Sequence, residues 1–312
     1  MQPKSSIMTL LSVIIPVYNE EELVVELIQR LQKSSLQVTE AYELIFVNDG
    51  SKDKTLSLLL EEHNKDGRVK VLNLSRNFGH QAAYTAGLNY SKGEYTVMMD
   101  GDMQDPPELI PEMYAKMKFS GADIVYGRRT DRKESLSKQV ITWLFHKIFD
   151  RLSRNNQGDV GNFCLLNRVA LDAFLKLNEK NRYLPGLRFF IGFKQDYVEY
   201  KRPDRSKGKA KMSFWKLMKL AFDAIFSFSK IPIRIALILG ILGIIISLTG
   251  IGIVVYKKII GVAITGWTST MLSIYFLGSV QLLFLGILGE YIFRIYKETQ
   301  NRPVYIVKEF WE

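Results

Sequence analysis

Short apolar runs alternate with amphipathic stretches through most of the chain, and the two carry different periods. Leu10–Val17, Glu43–Asn48, Val69–Asn73, Tyr95–Met99, Asp123–Tyr126 and a final Gln195–Lys201 are rich in β-branched and aliphatic residues and read as strands. Between them, apolar residues recur at helical spacing. Leu23, Leu27, Ile28 and Leu31 follow the first strand. A second helix is expected over 53–64 with Ser51 as its N-cap, a third over 80–91, and a further one from Leu136 to Phe149. Strands alternating with helices predict an α/β fold whose mostly parallel sheet is covered on both faces. Ligands of such sheets collect beyond the carboxyl ends of the strands. The loops there carry Tyr18, Glu20, Asp49, Asp100, Asp102, Arg128 and Arg129, and are expected to converge on one edge.

The pattern changes after residue 212. Ser213–Ser229 is amphipathic, with Phe214, Leu217, Ala221, Ile225 and Phe228 on one stripe, and suits a helix lying in a membrane interface. Ile235–Tyr256 and Ile259–Gly289 hold no charged residue, and each can supply the roughly 20 apolar residues that span a bilayer. The expected division is a catalytic domain over 1–212, an interfacial helix over 213–231, two spans near 233–256 and 267–292, and a tail over 294–312. A short link between the spans makes a hairpin, so both chain ends lie on one side. That side carries Arg234, Arg294, Lys297 and Arg302, against Lys257 and Lys258 in the link, which places the catalytic domain and both termini in the cytoplasm. Glycines 240, 243, 250, 252, 278, 286 and 289 permit close helix packing within the hairpin or between protomers of a homo-oligomer. The run Leu10–Val17, broken by Pro16 and followed by Glu20-Glu21-Glu22, is not expected to be a signal peptide.

Charge narrows the chemistry. Among 312 residues the formal net charge is +10, which favours an anionic partner. The basic residues cluster beside the apolar runs, so phosphates and lipid headgroups fit better than nucleic acid, which is not expected to bind. Arg202–Lys211 holds five cations in ten residues, a mobile phosphate clamp or a tether to anionic lipid. The single cysteine, Cys164, forms no intrachain disulfide, and the three histidines are too widely spaced for a metal pattern. Asp100-Gly101-Asp102 ends a strand and is followed by Gln104 and Asp105. Two carboxylates there suit a hard divalent cation that keeps open positions for substrate phosphates. Asn155–Asn162 reads as a polar loop whose only carboxylate is Asp159.

Several segments resemble the family 2 glycosyltransferases of the GT-A fold, in particular the membrane-bound polyprenyl-phosphate group related to dolichyl-phosphate mannose synthase and undecaprenyl-phosphate glucosyltransferase. The matching elements are Pro16–Glu21, Val47–Ser51, Asn77–Ala83, Asp100–Pro107 and the tail Gly289–Ile306. The resemblance implies that Pro16, Tyr18, Glu20 and Asp49 hold the donor nucleoside, with Asp100 and Arg129 beside it. It implies that Asp100, Asp102 and Gln104 organise Mg²⁺ or Mn²⁺ and the diphosphate. Arg132, Arg202, Arg205 and Lys211 would take phosphates of donor or acceptor. Relatives often read D-x-G-D-F-R-L where this chain has Asp159-Val160-Gly161-Asn162-Phe163-Cys164-Leu165, so the second carboxylate is Asn162 and the arginine is Cys164. Asp159 is the remaining candidate for a base or positioning residue, beside Asp100 and Asp102. The implied activity is inverting transfer of glucose from UDP-glucose to a polyprenyl phosphate at the cytoplasmic membrane face. Alternatives are GDP-mannose or another UDP-sugar as donor, or an inactive sugar-nucleotide-binding membrane scaffold.

Overall fold

The computed structural model describes residues 9–130, 160–180, 182–201, 231–261 and 266–312. The chain divides into two units, one made of residues 1–214 and 303–312 and the other of residues 215–302.

The first unit is built on β1 (Leu11–Val17), β2 (Tyr42–Asn48), β3 (Val69–Leu74), β4 (Tyr95–Met98), β5 (Ile124–Arg129), β6 (Val160–Asn167), β7 (Gln195–Tyr200) and β8 (Val307–Trp311). They form one sheet in the order β7-β5-β6-β4-β1-β2-β3-β8. β1 pairs in parallel with β2 and β4, β2 with β3, and β5 with β7; β6 and β8 run antiparallel to their neighbours. The sheet is therefore mostly parallel, as in the GT-A fold.

All seven residues of β1 and of β2 are buried, because helices cover both faces. Leu11, Val13, Ile15 and Val17 meet Leu27, Ile28 and Leu31 of α1 (Val24–Leu36), Leu59 of α2 (Thr55–Lys65), and Ile110 and Met113 of α4 (Ile110–Ser120) in one core. The other face carries α3 (His80–Tyr90), whose Gly87 lies flush on the sheet: a Cβ there would come 2.3 Å from Ile14 Cγ2. That close approach explains the small-residue composition of α3. Pro16 sits near the end of a central strand, where a missing N–H is normally costly. The Ile14 carbonyl accepts from Met99 on the β4 side, so by strand alternation Pro16 also faces that side, beyond the last β4 pairing at Ile14↔Met98.

Three expectations are corrected. Residues 160–162, read as part of a polar loop, begin β6. Gln195–Tyr200 is not the last strand, because β8 adds to the β3 edge, with Trp311 packed against the core and Phe310 edge-on to Tyr90 at 4.9 Å. Ser51 does not cap α2 either; it accepts from the Asn19 amide, and Asp53 receives the Thr55 amide instead. At the amino edge of the sheet, buried Glu43 accepts from Ser12 Oγ (2.5 Å) and the Lys92 amide (2.7 Å) and pairs with Lys70 (2.8 Å), which also reaches Glu312 (3.2 Å).

The second unit contains α7 (Ile231–Ile259) and α8 (Trp267–Thr299), after the short α5 (Arg168–Leu175) and α6 (Leu184–Phe190) of the first unit. Both long helices are long and apolar enough to cross a membrane. Ile241, Ile245, Ile246, Leu248, Leu282 and Leu285 are exposed on them, a surface suited to lipid. Thr249 returns its hydroxyl to the Ile245 carbonyl, which hides a polar group. Of the glycines expected to allow close packing, Gly240 meets the Phe284 ring; the other six face open space.

Candidate active site

Four loops leave the carboxyl ends of the parallel strands and bond to one another. The β1 and β2 loops are stapled by Asn19 N to Ser51 Oγ (3.0 Å), Lys52 N to Asn19 Oδ1 (2.8 Å), Glu20 N to Thr55 Oγ1 (2.8 Å) and Lys54 N to Glu21 Oε2 (2.9 Å). This puts half-buried Tyr18 and Glu20 beside the β2 loop. Asp49, buried on that loop, accepts from the Phe78 amide at 2.7 Å and the Gly79 amide at 3.0 Å. Burial pushes its carboxyl above the ordinary value, and the two amides only partly offset that. Asp49 thus ties the β2 loop to the turn that starts α3. Gly50 lies in the same junction with a positive φ of 69°, and a Cβ on it would come 2.6 Å from Asn77 N.

The strand-end carboxylates lie next along the edge. Asp100 Oδ1 receives Tyr84 Oη at 2.6 Å and meets His80 Nε2 at 2.9 Å and Asn162 Nδ2 at 3.5 Å. Burial alone would raise the Asp100 carboxyl, but the His80 charge, the His80 and Tyr84 hydrogen bonds and Arg129 hold it well below the usual carboxylate range. His80 moves the other way. Burial lowers it, yet Asp100, with help from Asp102 and Asp49, raises it above its ordinary value. The three carboxylates therefore share one electrostatic neighbourhood. Gly101 is required between Asp100 and Asp102, since a Cβ would sit 2.9 Å from both the Pro16 carbonyl oxygen and Val17 Cγ1. Asp102 accepts from the Gln104 amide at 3.2 Å.

Arg129, at the end of β5, reaches the wall of this site. Its Nε donates to Tyr200 Oη (3.2 Å) and its Nη2 to Asp105 Oδ1 (3.4 Å), while Tyr200 donates to that same oxygen at 2.5 Å. Asp105 is fully buried. Arg129 also shields Gly161, where a Cβ would come 3.1 Å from Nη2.

Of the residues expected from the sequence, Pro16, Tyr18, Glu20, Asp49, Asp100, Asp102, Gln104 and Arg129 lie at this edge. Arg132, Asp159, Arg202, Arg205 and Lys211 lie outside the described residues, as do the 213–229 segment and the 136–149 helix. His80, Tyr84, Asp105, Asn162 and Tyr200 contribute contacts that sequence reasoning did not assign. Asp105 had a signal, being in the same motif as Asp100; Tyr200, 95 residues away, had none.

Hard oxygen donors at Asp100, Asp102 and Gln104 fit Mg²⁺ or Mn²⁺. Among the described residues no three His, Cys, Asp or Glu side chains form a ready cage. A cation here would take further ligands from a bound diphosphate.

Comparison with known proteins places these features in a lineage. The chain is 40% identical over 304 residues to a glycosyltransferase of Synechocystis sp., covering 96% of this chain and 95% of that one. It is 37% identical over 303 residues to the SfII prophage-derived bactoprenol glucosyl transferase of Shigella flexneri, covering 96% and 97%. It is 36% identical over 302 residues to a prophage bactoprenol glucosyl transferase homolog of Escherichia coli, covering 96% and 98%. Residues 12–175, which carry Asp49, His80, Asp100, Asp102 and Asn162 from β1 to α5, match the family described as Glycosyl transferase family 2, and the chain belongs to that family as a glycosyltransferase.

Proposed function

We propose that this glycosyltransferase moves glucose from UDP-glucose to the phosphate of a polyprenyl phosphate of the undecaprenyl class, at the cytoplasmic face of the membrane. The observation that carries the reading is the strand-end pair Asp100 and Asp102. His80 and Tyr84 keep Asp100 ionised where the family's donor diphosphate would lie. The bactoprenol glucosyl transferases among its relatives and the two long apolar helices support a lipid acceptor.

An oxygen of the lipid phosphate attacks the anomeric carbon opposite the leaving group. The new C–O bond forms as the bond to the UDP oxygen breaks, the electron pair departs with UDP, and the configuration inverts. A bound Mg²⁺ or Mn²⁺ would supply electrostatic neutralisation of the departing diphosphate. Asp100, Asp102 and Gln104 would hold it, and Arg129 would add positive charge beside it. Tyr18, Glu20 and Asp49 would flank the nucleoside, with Arg132, Arg202, Arg205 and Lys211 on phosphates. A phosphate monoester with a second pKa of roughly 6 is already largely ionised at neutral pH. The acceptor therefore needs no general base, and an amide at Asn162 is compatible with turnover; Asp159 then positions rather than deprotonates.

The test incubates purified protein in detergent with undecaprenyl phosphate and labelled UDP-glucose or GDP-mannose, with Mg²⁺ or Mn²⁺ or with EDTA. Solvent-extractable label from UDP-glucose, abolished by EDTA and by Asp102→Ala, is expected. Label from GDP-mannose alone would overturn the donor. Full activity in EDTA would overturn the metal role.

A further inference from the structure

β6 does not pair regularly. Its register with β5 runs Ile124↔Leu166, Val125↔Leu165, Tyr126↔Cys164, then jumps to Arg128↔Val160, so Gly161, Asn162 and Phe163 stand opposite Gly127 alone. Its other neighbour is already finished, because the last β4 pairing is Met98↔Cys164. Gly127 makes room for the bulge: a Cβ there would lie 2.7 Å from the Phe163 ring and 2.9 Å from the Tyr200 ring. Bulges re-aim side chains, and they free backbone groups that need new partners.

The partner comes from α6. Arg188 is fully buried, and its fork donates Nη2 to the Gly161 carbonyl at 2.8 Å and Nη1 to the Asn162 carbonyl at 2.9 Å. Nη1 also lies 2.7 Å from Cys164 Sγ, and the guanidinium stands over the Tyr126 ring at 5.3 Å. No carboxylate pairs with it among the described residues. A buried charge held by carbonyls, a thiol and a ring is expensive unless its bonds are well made. Those bonds go to the two residues whose displacement aims Asn162 at Asp100 (3.5 Å) and His80 (3.3 Å), and that place Gly161 under Arg129.

We propose that Arg188 is a positioning residue for sugar transfer: by holding the β6 bulge it sets Asn162 against Asp100 and so fixes the strand-end carboxylate. A methionine at 188 fills similar space but donates nothing. A lysine keeps the charge but loses the planar fork that reaches two carbonyls at once. The role rests on the site reading above, and not on the choice of donor.

The experiment uses the full chain in detergent and compares wild type, Arg188→Met, Arg188→Lys, Asn162→Ala and the Arg188→Met/Asn162→Ala double variant. Thermal unfolding, kcat and KM are measured with whichever sugar nucleotide the wild type uses. Failure of the donor assignment shows in the wild type, and failure of the positioning role shows in the ratios. Arg188→Met and Asn162→Ala should each lower kcat/KM by roughly ten- to a hundredfold, as misplacement of a reacting constellation does. The double variant should fall no further than the worse single one, and Arg188→Lys should recover part of the loss. Multiplying losses in the double variant, or a folded Arg188→Met with wild-type kcat/KM, would overturn the role. If Arg188→Met does not fold, a folded Arg188→Lys with wild-type kcat/KM overturns it equally, and a loss there matching Asn162→Ala supports it.

Discussion

Replacing Tyr200 by Phe removes one oxygen from the wall of the site. Tyr200 is 6% exposed and Asp105 is 0% exposed. The phenol donates to Asp105 Oδ1 at 2.5 Å and accepts from Arg129 Nε at 3.2 Å. The direct Arg129 approach to that carboxylate is longer, 3.4 Å, so the phenol is the main donor between them. A hydrogen bond to a charged acceptor is worth about 1.5–3 kcal/mol, and solvent does not reach this one to replace it. The less polar phenyl ring offsets a part, leaving a loss of about 2 kcal/mol. For a domain of roughly 150–250 residues that lowers Tm by about 4–8 °C. Arg129 also loses an anchor, so KM for the sugar nucleotide should rise more than kcat falls. Scanning fluorimetry and transfer kinetics on the solubilised enzyme measure both. Tyr126→Phe is the control, because its buried hydroxyl has no hydrogen-bond partner among the described residues; removing it should leave Tm unchanged or raise it. The reasoning is refuted if Tyr200→Phe melts with the wild type, or if Tyr126→Phe falls as far.

Three further outcomes follow from the same contacts. Gly101→Ala places a Cβ 2.9 Å from the Pro16 carbonyl oxygen, a backbone atom that cannot swing away, so it should cost about 1–3 kcal/mol and most activity; unchanged Tm and turnover would contradict the close approach. For His80 the folded pKa is raised above 6.5, so its stabilisation is complete below 6.5 and lost as pH rises through the folded value. For Asp100 the folded pKa is below 3.8, so its share is present above 3.8 and lost as pH falls through the folded value. The Tm deficit of His80→Gln in EDTA should therefore be largest between those limits and shrink at alkaline pH; a flat deficit would count against the pair. Glu43→Gln breaks a buried pair at the opposite edge of the sheet, with Lys70 at 2.8 Å, and should cost about 2–3 kcal/mol while kcat stays at the wild-type value; an unchanged Tm or a fallen kcat would refute that separation.

Local composition was enough for the parallel half of the sheet. Apart from Ser12, Glu43 and Asn48, Leu11–Val17 and Tyr42–Asn48 are apolar on both faces, and only a doubly covered strand accommodates that. The strand-end residues Asp49, Asp100, Asp102 and Arg129 followed from the same logic, because the polarity of a parallel sheet sends the following loops to one edge. The apolar runs that became α7 and α8 were equally plain, since length and hydropathy are properties of a single segment. Nothing local announced β6 or β8. β6 is a bulged strand whose first residues look like a polar loop, and β8 is a short segment that becomes a strand only because the β3 edge offers unpaired groups. The partners of the site were hidden for the same reason. Tyr200 and Asp105 are 95 residues apart, Asn162 and His80 are 82 apart, and Arg188 meets Asn162 across 26. Residue periodicity showed which segments become buried strands and which charged residues follow them. Which side chains hold those charges in place is set by the fold, because a hydrogen bond between distant residues depends on packing that no local period records.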